Sequence, residues 1–518
     1  MYLTQGLHRS LQQNPDRLAL TFKGRRQTFR QFADRVARLA AALRGLGMAH
    51  GDRVGMLSLN SDRYLEYVMG VWWGGGVLNP VNTRWSAAEI GYSLDDCDTR
   101  ILIVDDHFVD IARRVSALAR TAPILIHAGD GDAPAGMLPF DALIAAAAPM
   151  PDLGRGGEDL ACIMYTGGTT GSPKGVMQTH LNIWCSSLMR IAESAPLPDS
   201  AVLHAAPFFH AAGLGRALVQ FIAGEAHVVI PAFEAGDVLE AIGNERVSET
   251  LLVPTMIQAV LNHPDFARTD LSSLKRLTYG ASPIPETLLD RVIESLPGVE
   301  LAHSYGMTEA CPSVSANPPA NHDEAGRKSG LYRSIGRGLP GLMVKVVDAL
   351  GNEVPRGTVG EIVVRGPNVM AGYWNRPEET AQALRDGWLH TGDGAYMDAQ
   401  GYLYIVDRIK DMIVSGGENV YSAEVENVIV RHPAVAACAV IGIPHETWGE
   451  AVHAVIVRKP GATLAEEEVR EHCRQAIAGY KCPKTVEFRD QLPLSGAGKV
   501  LKREIRAPYW ADKARAVN

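Results

Sequence analysis

The sequence has no disulfide framework. Its seven cysteines, Cys97, Cys162, Cys185, Cys311, Cys438, Cys473 and Cys482, are scattered, and no C-x-x-C pair occurs. An odd, unpatterned set reads as reduced thiols and predicts a cytoplasmic protein. A basic excess is also missing: 50 Lys and Arg stand against 58 Asp and Glu, a formal net charge of −8. That argues against a nucleic-acid binder acting through bulk charge. The longest apolar stretch, Val68 to Val81, is shorter than a membrane span and rich in glycine, so no stable membrane insertion is expected. The opening residues, M-Y-L-T-Q-G-L-H-R-S, lack the apolar core of a signal peptide. Low-complexity segments, internal repeats and His/Cys clusters with metal-ligand spacing are absent from the sequence.

What is present is an ordinary soluble composition, 46% hydrophobic and 21% charged, in 518 residues. That is too long for one compact core, so two or three domains are expected. The first part alternates helix and strand patterns. Thr28 and Gln31 form a capping box before apolar residues at helical spacing, Phe29 to Leu46, with Gly47 as a stop. Val54 to Leu59 reads as a strand. Ser86 and Glu89 form a second box before a helix Ala87–Leu94, and Ile101 to Val104 reads as a buried strand. This alternation predicts an α/β fold with largely parallel sheets. After about residue 340, short strands broken by glycine and proline suggest a small antiparallel β unit. Beyond D-R-I-K-D (407–411), a helix over 422–430, strands near 436–443 and 451–457, and a helix opened by Thr463/Glu466 suggest a small α+β domain. The expected division is 1–408 and 409–518.

One glycine-rich run, Y-T-G-G-T-T-G-S-P-K-G (165–175), has the parts of a phosphate cradle. Gly167, Gly168 and Gly171 let backbone N–H groups approach an anion closely. Thr166, Thr169 and Thr170 offer hydroxyls, and Lys174 adds charge. The P-loop pattern G-x-x-x-x-G-K-[ST] fails at two positions, because Pro173 and Gly175 flank Lys174. A kinase or GTPase is therefore disfavoured, and a plain glycine-rich hairpin turn remains open on the loop alone.

Other motifs follow in order: P-F-F-H-A-A-G (207–213), Y-G-A-S-P-I-P (279–285), Y-G-M-T-E (305–309), G-E-I-V-V-R-G-P-N-V-M-A-G-Y-W (360–374), W-L-H-T-G-D (388–393), D-R-I-K-D-M-I-V-S-G-G-E-N-V-Y (407–421) and S-G-A-G-K (495–499). Together with the loop they resemble the adenylate-forming enzymes, which comprise acyl- and aryl-CoA synthetases, luciferases and peptide-synthetase adenylation domains. The resemblance covers nearly the whole chain. In texture it is closest to bacterial fatty-acyl-CoA synthetases and short feruloyl-CoA-synthetase-like proteins. Gly167 stands where the family frequently has serine.

The resemblance implies an ATP- and Mg2+-dependent carboxylic acid–CoA ligase working through an acyl-AMP. The loop would grip the phosphates that leave as pyrophosphate. Tyr305 would lie against adenine, on a backbone shelf of Gly280, Ala281 and Ser282. Thr308 would meet the α-phosphate, and Glu309, with Thr166, would hold Mg2+. Asp393, assisted by Arg408, would take the ribose hydroxyls. Lys499 would bridge carboxylate and phosphate oxygens as the main catalytic residue. His210, Gly280 and Met307 would line the acyl pocket, with Ala211, Ala212 and Gly213 leaving room behind His210 and Phe208 and Phe209 as walls. Gly416 and Gly417 would make way for the pantetheine of CoA, and Lys410 would mark the hinge of a mobile C-terminal domain. The acid expected first is a medium- to long-chain fatty acid, and second an aryl-propenoic acid such as ferulate. A peptide-synthetase domain, for which no carrier segment is seen after Lys499, a luciferase-like oxygenase and a non-catalytic nucleotide-binding scaffold are the competing readings. A homodimer is left open.

Overall fold

The computed structural model describes residues 1–166, 173–281, 284–408, 411–415, 418–495 and 499–511. Two large sheets dominate the first three hundred residues. One has nine strands, and its six central ones, from Glu300–Tyr305 through Arg276–Gly280, Glu249–Leu252, Ala201–His204 and Ala226–Val229 to Leu18–Phe22, run parallel. The other has eight strands, parallel from Leu160–Thr166 through Val77–Pro80, Arg53–Leu57, Ile101–Val104 and Ile124–His127 to Leu138–Pro139. Lys174–Thr179 folds back antiparallel on Leu160–Thr166. Both capping boxes form, at Thr28/Gln31 and at Ser86/Glu89, and Ile101–Val104 is a fully buried strand.

Helices fill the space between these sheets. One buried cluster takes residues from strands of both and from the helices Phe29–Gly45, Asp62–Trp73 and Ala211–Ala223. This explains the longest apolar run. Its first six residues end the helix Asp62–Trp73, which is buried on every side, with Trp72, Tyr64 and Tyr67 among the largest fully enclosed side chains. The buried Asp62, Arg63 and Glu66 of this helix are held in ion pairs with Arg25, Asp130, Asp141 and Arg35, as burial of charge requires. Among the described residues no helix is long and apolar enough to cross a membrane.

The third sheet is the expected antiparallel unit: Met343–Val347, Gly360–Arg365, Trp388–Met397 and Leu384–Arg385, with Leu403–Arg408 on Trp388–Met397. A fourth sheet lies beyond it, with strands Glu418–Val420, Ile413–Ser415, Gly449–Arg458, Val435–His445 and Thr485–Arg489 and its own buried cluster around Ile413, Val440 and Ile456. The helix Ser422–Ile429 falls where the sequence places one. The Thr463/Glu466 box does not form. The helix is Glu466–Arg474, and the Glu468 carboxylate accepts from the Ala465 N–H at 2.7 Å. Leu464 is drawn into the small core and its carbonyl accepts from Arg458, so the helix starts later than the T-x-x-E spacing predicts.

Candidate active site

Three of the sheets end at one place. Strand Glu300–Tyr305 runs into Y-G-M-T-E, where Met307 is extended and Thr308–Ala310 makes one 3-10 turn. The turn is pinned from behind: Gln178 Nε2 donates to the Thr308 carbonyl at 2.8 Å, and the Met370 N–H to the Glu309 carbonyl at 2.8 Å. Gly306 is required there, because a Cβ would sit 1.7 Å from the Pro312 carbonyl oxygen. Neighbouring Ala281 takes φ +64°, a conformation costly for a residue with a Cβ and concentrated at functional sites.

The third sheet supplies the next pair. Asp393 and Arg408 are register partners on adjacent strands. The Arg408 guanidinium lies 3.3 Å from the Asp393 carboxylate, whose other oxygen accepts from the Tyr305 hydroxyl at 2.6 Å. Asp393 is buried while Arg408 is largely exposed. The Asp393 charge raises the Arg408 pKa above its ordinary value. One carboxylate thus joins a tyrosine from the nine-stranded sheet to an arginine beside the small domain.

Glu309 is nine-tenths buried and accepts from the Tyr373 hydroxyl at 2.8 Å. The Lys174 ammonium stands 5.2 Å from the centre of the Tyr373 ring. Lys174 opens its strand directly opposite Thr166, so the two described ends of the glycine-rich loop sit next to Glu309. Tyr373 lies within the 360–374 motif, where the resemblance assigns it no role, and Gln178 carries no sequence signal.

Lys499 reaches this cluster from the other side. Its backbone N–H donates to Ser495 Oγ at 3.1 Å, and its carbonyl accepts from the Ser495 N–H at 2.7 Å. Arg84 Nη1 of the eight-stranded half donates to the Ser495 carbonyl at 3.0 Å, holding this hairpin against the large domain. Burial first and the Arg408 charge second pull the Lys499 pKa from 10.5 down to about 8, against the pull of Asp393 and Glu309. A cation from the small domain therefore stands within electrostatic reach of both carboxylates. The buried oxygen of Glu309 suits a hard cation such as Mg2+, and Lys499, Lys174 and Arg408 suit polyphosphate.

His210 caps the helix Ala211–Ala223, its Nδ1 accepting from the Ala212 N–H at 3.4 Å. Burial and the Lys499 charge push its pKa to about 4, so it is neutral at physiological pH. The expectation that small residues leave room behind it is corrected at Gly213. A Cβ there would lie 2.3 Å from the Pro207 carbonyl, so this glycine serves a tight backbone crossing. Phe208 is fully buried against Tyr64 and His204 and belongs to the core rather than to an acyl wall. The open side of the helix is Ala212, Gly215 and Arg216, which retain solvent access while the residues between them and on through Ile222 are buried. Gly280, Ala281 and Met307 lie at or just past the ends of strands Arg276–Gly280 and Glu300–Tyr305. Gly167, Gly168, Thr169, Thr170, Gly171, Ser282, Lys410, Gly416 and Gly417 lie outside the described residues.

Two family models match: AMP-binding enzyme over residues 7–374 and AMP-binding enzyme C-terminal domain over 424–499. A feruloyl-CoA synthase of an Amycolatopsis species is 42% identical over 505 residues, 97% of this chain and 98% of that protein. A medium/long-chain-fatty-acid–CoA ligase of Mycobacterium tuberculosis is 37% identical, covering 98% of this chain and 90% of the relative. Among solved structures, ATP-bound MatB from Rhodopseudomonas palustris superposes with a TM-score of 0.87 at 32% identity, over 98% of this chain and 99% of its own. ATP, Mg2+ and CoA are the reactants and metal of such enzymes. With the motif ends, Asp393, Glu309 and Lys499 converging as they do, the chain belongs to the AMP-binding enzyme family and is an AMP-forming acid–CoA ligase.

Proposed function

We propose that the chain activates a compact aryl-propenoic acid and transfers it to CoA. The observation that carries this is a buried ion pair on the helix that His210 caps. The accessible stripe on helix Ala211–Ala223 runs from His210 to Arg216, about 9 Å at the helical rise. There the Arg216 guanidinium meets the Glu249 carboxylate at 2.7 Å. An ion pair at that depth stops a chain of sixteen carbons, whose methyl end wants apolar surroundings. A ring on a propenoic acid fits the length. The 42% identity to a feruloyl-CoA synthase supports the same class. The 37% identity to a medium/long-chain-fatty-acid–CoA ligase favours the fatty-acid reading, which therefore stands second.

In this reading Thr166, Lys174 and the glycine loop between them would hold the β- and γ-phosphates, and Glu309 with Thr166 would hold Mg2+, which would supply neutralisation of the phosphate charge. Tyr305 flanks the adenine beside Gly280, Ala281 and Ser282, and Asp393 with Arg408 takes the ribose. His210, Gly280 and Met307 form the mouth of the acid pocket. The carboxylate oxygen attacks the α-phosphorus and pyrophosphate leaves. Lys499 and Thr308 steady the charge that collects on the phosphate and carboxylate oxygens. No base is needed, because the acid is already ionised at neutral pH. His210, neutral throughout, positions and does not titrate. In the second step the CoA sulfur attacks the acyl carbon and AMP leaves. Rotation of 409–518 about Lys410 would withdraw Lys499 and bring Gly416 and Gly417 to the pantetheine. Seven unpaired cysteines fit a cytoplasmic setting.

The test is incubation with ATP, Mg2+ and CoA against acids from acetate to palmitate plus benzoate, coumarate and ferulate, reading AMP and acyl-CoA by mass spectrometry. Coumarate or ferulate should give both products at the highest kcat/KM. Palmitate outrunning both would replace this reading with the fatty-acid one.

A further inference from the structure

Two carboxylates face this site, and each rests one oxygen on a tyrosine. Asp393 accepts from the Tyr305 hydroxyl at 2.6 Å and turns its other oxygen to Arg408 at 3.3 Å. Glu309 accepts from the Tyr373 hydroxyl at 2.8 Å. Its other oxygen takes no hydrogen bond and no ion pair among the described residues, although Glu309 is nine-tenths buried. Lys499 and Arg408 feel its charge through space without pairing to it. A buried carboxylate held by a single neutral donor is costly. Asp393 finds its cation in the protein, and Glu309 is left to receive one from outside.

Tyr373 is a rigidly held donor. Its strand, Gly372–Tyr373, pairs antiparallel with Val176 and Met177 on the strand that Lys174 opens. The Tyr373 N–H donates to Thr380 Oγ1 at 2.9 Å, and the Trp374 N–H to the Gly175 carbonyl at 2.8 Å. The Trp374 Nε1 donates to the Asp96 carbonyl at 2.9 Å, tying the same segment to the eight-stranded half. Gly372 permits the approach, because at φ +136° a Cβ on it would lie 2.8 Å from Thr380 Cγ2. The Tyr373 ring packs on the buried cluster that includes Val176 and Ala310, and the Lys174 ammonium stands 5.2 Å from its centre. One side chain therefore meets the phosphate-side lysine with its ring and the Glu309 carboxylate with its hydroxyl. The last torsion of a glutamate is soft, so a fixed donor on one oxygen decides where the other points.

We infer that Tyr373 is a positioning residue for the metal: its hydroxyl fixes one Glu309 oxygen and leaves the other for the Mg2+ carried with ATP, while its ring holds Lys174 on the phosphate side. This rests on the reading above in which Glu309 would hold Mg2+. Hydrogen-bond partners of metal-ligating carboxylates carry about 10- to 100-fold in metal affinity.

The test measures the Kd of α,β-methylene-ATP, which cannot be cleaved at the α-phosphorus, by titration calorimetry in excess Mg2+ and in EDTA. The proteins compared are wild type, Tyr373→Phe, Tyr373→Leu and Glu309→Gln. The ratio of the two Kd values reads the metal's contribution without turnover. Tyr373→Phe keeps the ring, so its ratio should shrink about 10-fold while its Kd in EDTA stays within about threefold of wild type. Tyr373→Leu should lose the same metal gain and also bind about 3- to 10-fold more weakly in EDTA, as Lys174 loses its aromatic support. A wild-type ratio in Tyr373→Phe, or equal losses in Mg2+ and in EDTA, would overturn the assignment, because the tyrosine would then only pack or act on the nucleotide directly. Glu309→Gln separates the two levels. If it loses the Mg2+ gain and Tyr373→Phe does not, the tyrosine's role alone falls; if it keeps the full gain, the assignment of Mg2+ to Glu309 falls with it. Should Tyr373→Leu fail to fold, Tyr373→Phe decides alone.

Discussion

Replacing Lys499 by alanine should separate the two half-reactions and raise stability at the same time. The ammonium is held in the cleft by the Ser495–Lys499 backbone pair and by Arg84 behind it, with Arg408 as its cationic neighbour. A pKa drawn from 10.5 to about 8 means that holding this proton in the folded state costs about 3 kcal/mol at pH 7, an upper value because solvent reaches the side chain. The sign is fixed by proton counts. Between about pH 8 and 10.5 the unfolded chain binds the extra proton, so wild-type stability rises with pH in that window, and below about pH 8 the whole penalty stands. Alanine removes it, so Tm at pH 7 should rise by about 1–4 °C and its rise between pH 8 and 10 should flatten. Activity should go the other way. ATP–pyrophosphate exchange, which reads acyl-AMP formation alone, should fall on the order of 10²–10³-fold or more. Thiolysis of supplied acyl-AMP by CoA should stay within about threefold. Wild-type exchange by the free enzyme should decline above about pH 8 as the amine loses its proton, and Lys499→Arg, slower throughout, should lose that limb. Equal losses in both half-reactions together with a lowered Tm would refute the reasoning, because the lysine would then be a structural strut.

Asp393→Asn removes the charge that Arg408 and the Tyr305 hydroxyl both face, and the KM for ATP should rise about 10- to 100-fold; titration calorimetry with ATP checks it. Gly306→Ala puts a Cβ 1.7 Å from the Pro312 carbonyl oxygen, so the urea midpoint should drop by the equivalent of about 3 kcal/mol or more, and an unchanged midpoint would mean the strand end yields freely. His210 has its pKa pushed to about 4, so His210→Gln should shift the KM for the acid while leaving the pH–rate profile between pH 5.5 and 7.5 the same shape; loss of a limb near the ordinary imidazole value would contradict the neutral assignment.

Much of this site was legible because its chemistry is local. Y-G-M-T-E, T-G-D and the ends of the glycine loop each pack several functional groups into a few residues, and the strands that carry them were readable from short apolar runs between turns. Parallel sheets followed from the alternation of helix and strand, and capping boxes fixed two helix starts to the residue. What failed depended on tertiary fit. Gly213 looked like space and is a backbone crossing, and Phe208 looked like a pocket wall and is core. The Thr463 box lost to the burial of Leu464. The catalytic half of such a ligase is thus written in contiguous motifs that every acid must share. Helices His180–Glu193 and Ala211–Ala223 and the strand starts at Glu249 and Arg276, by contrast, come from far apart in sequence and meet only in the fold, so no contiguous motif reports what they build together.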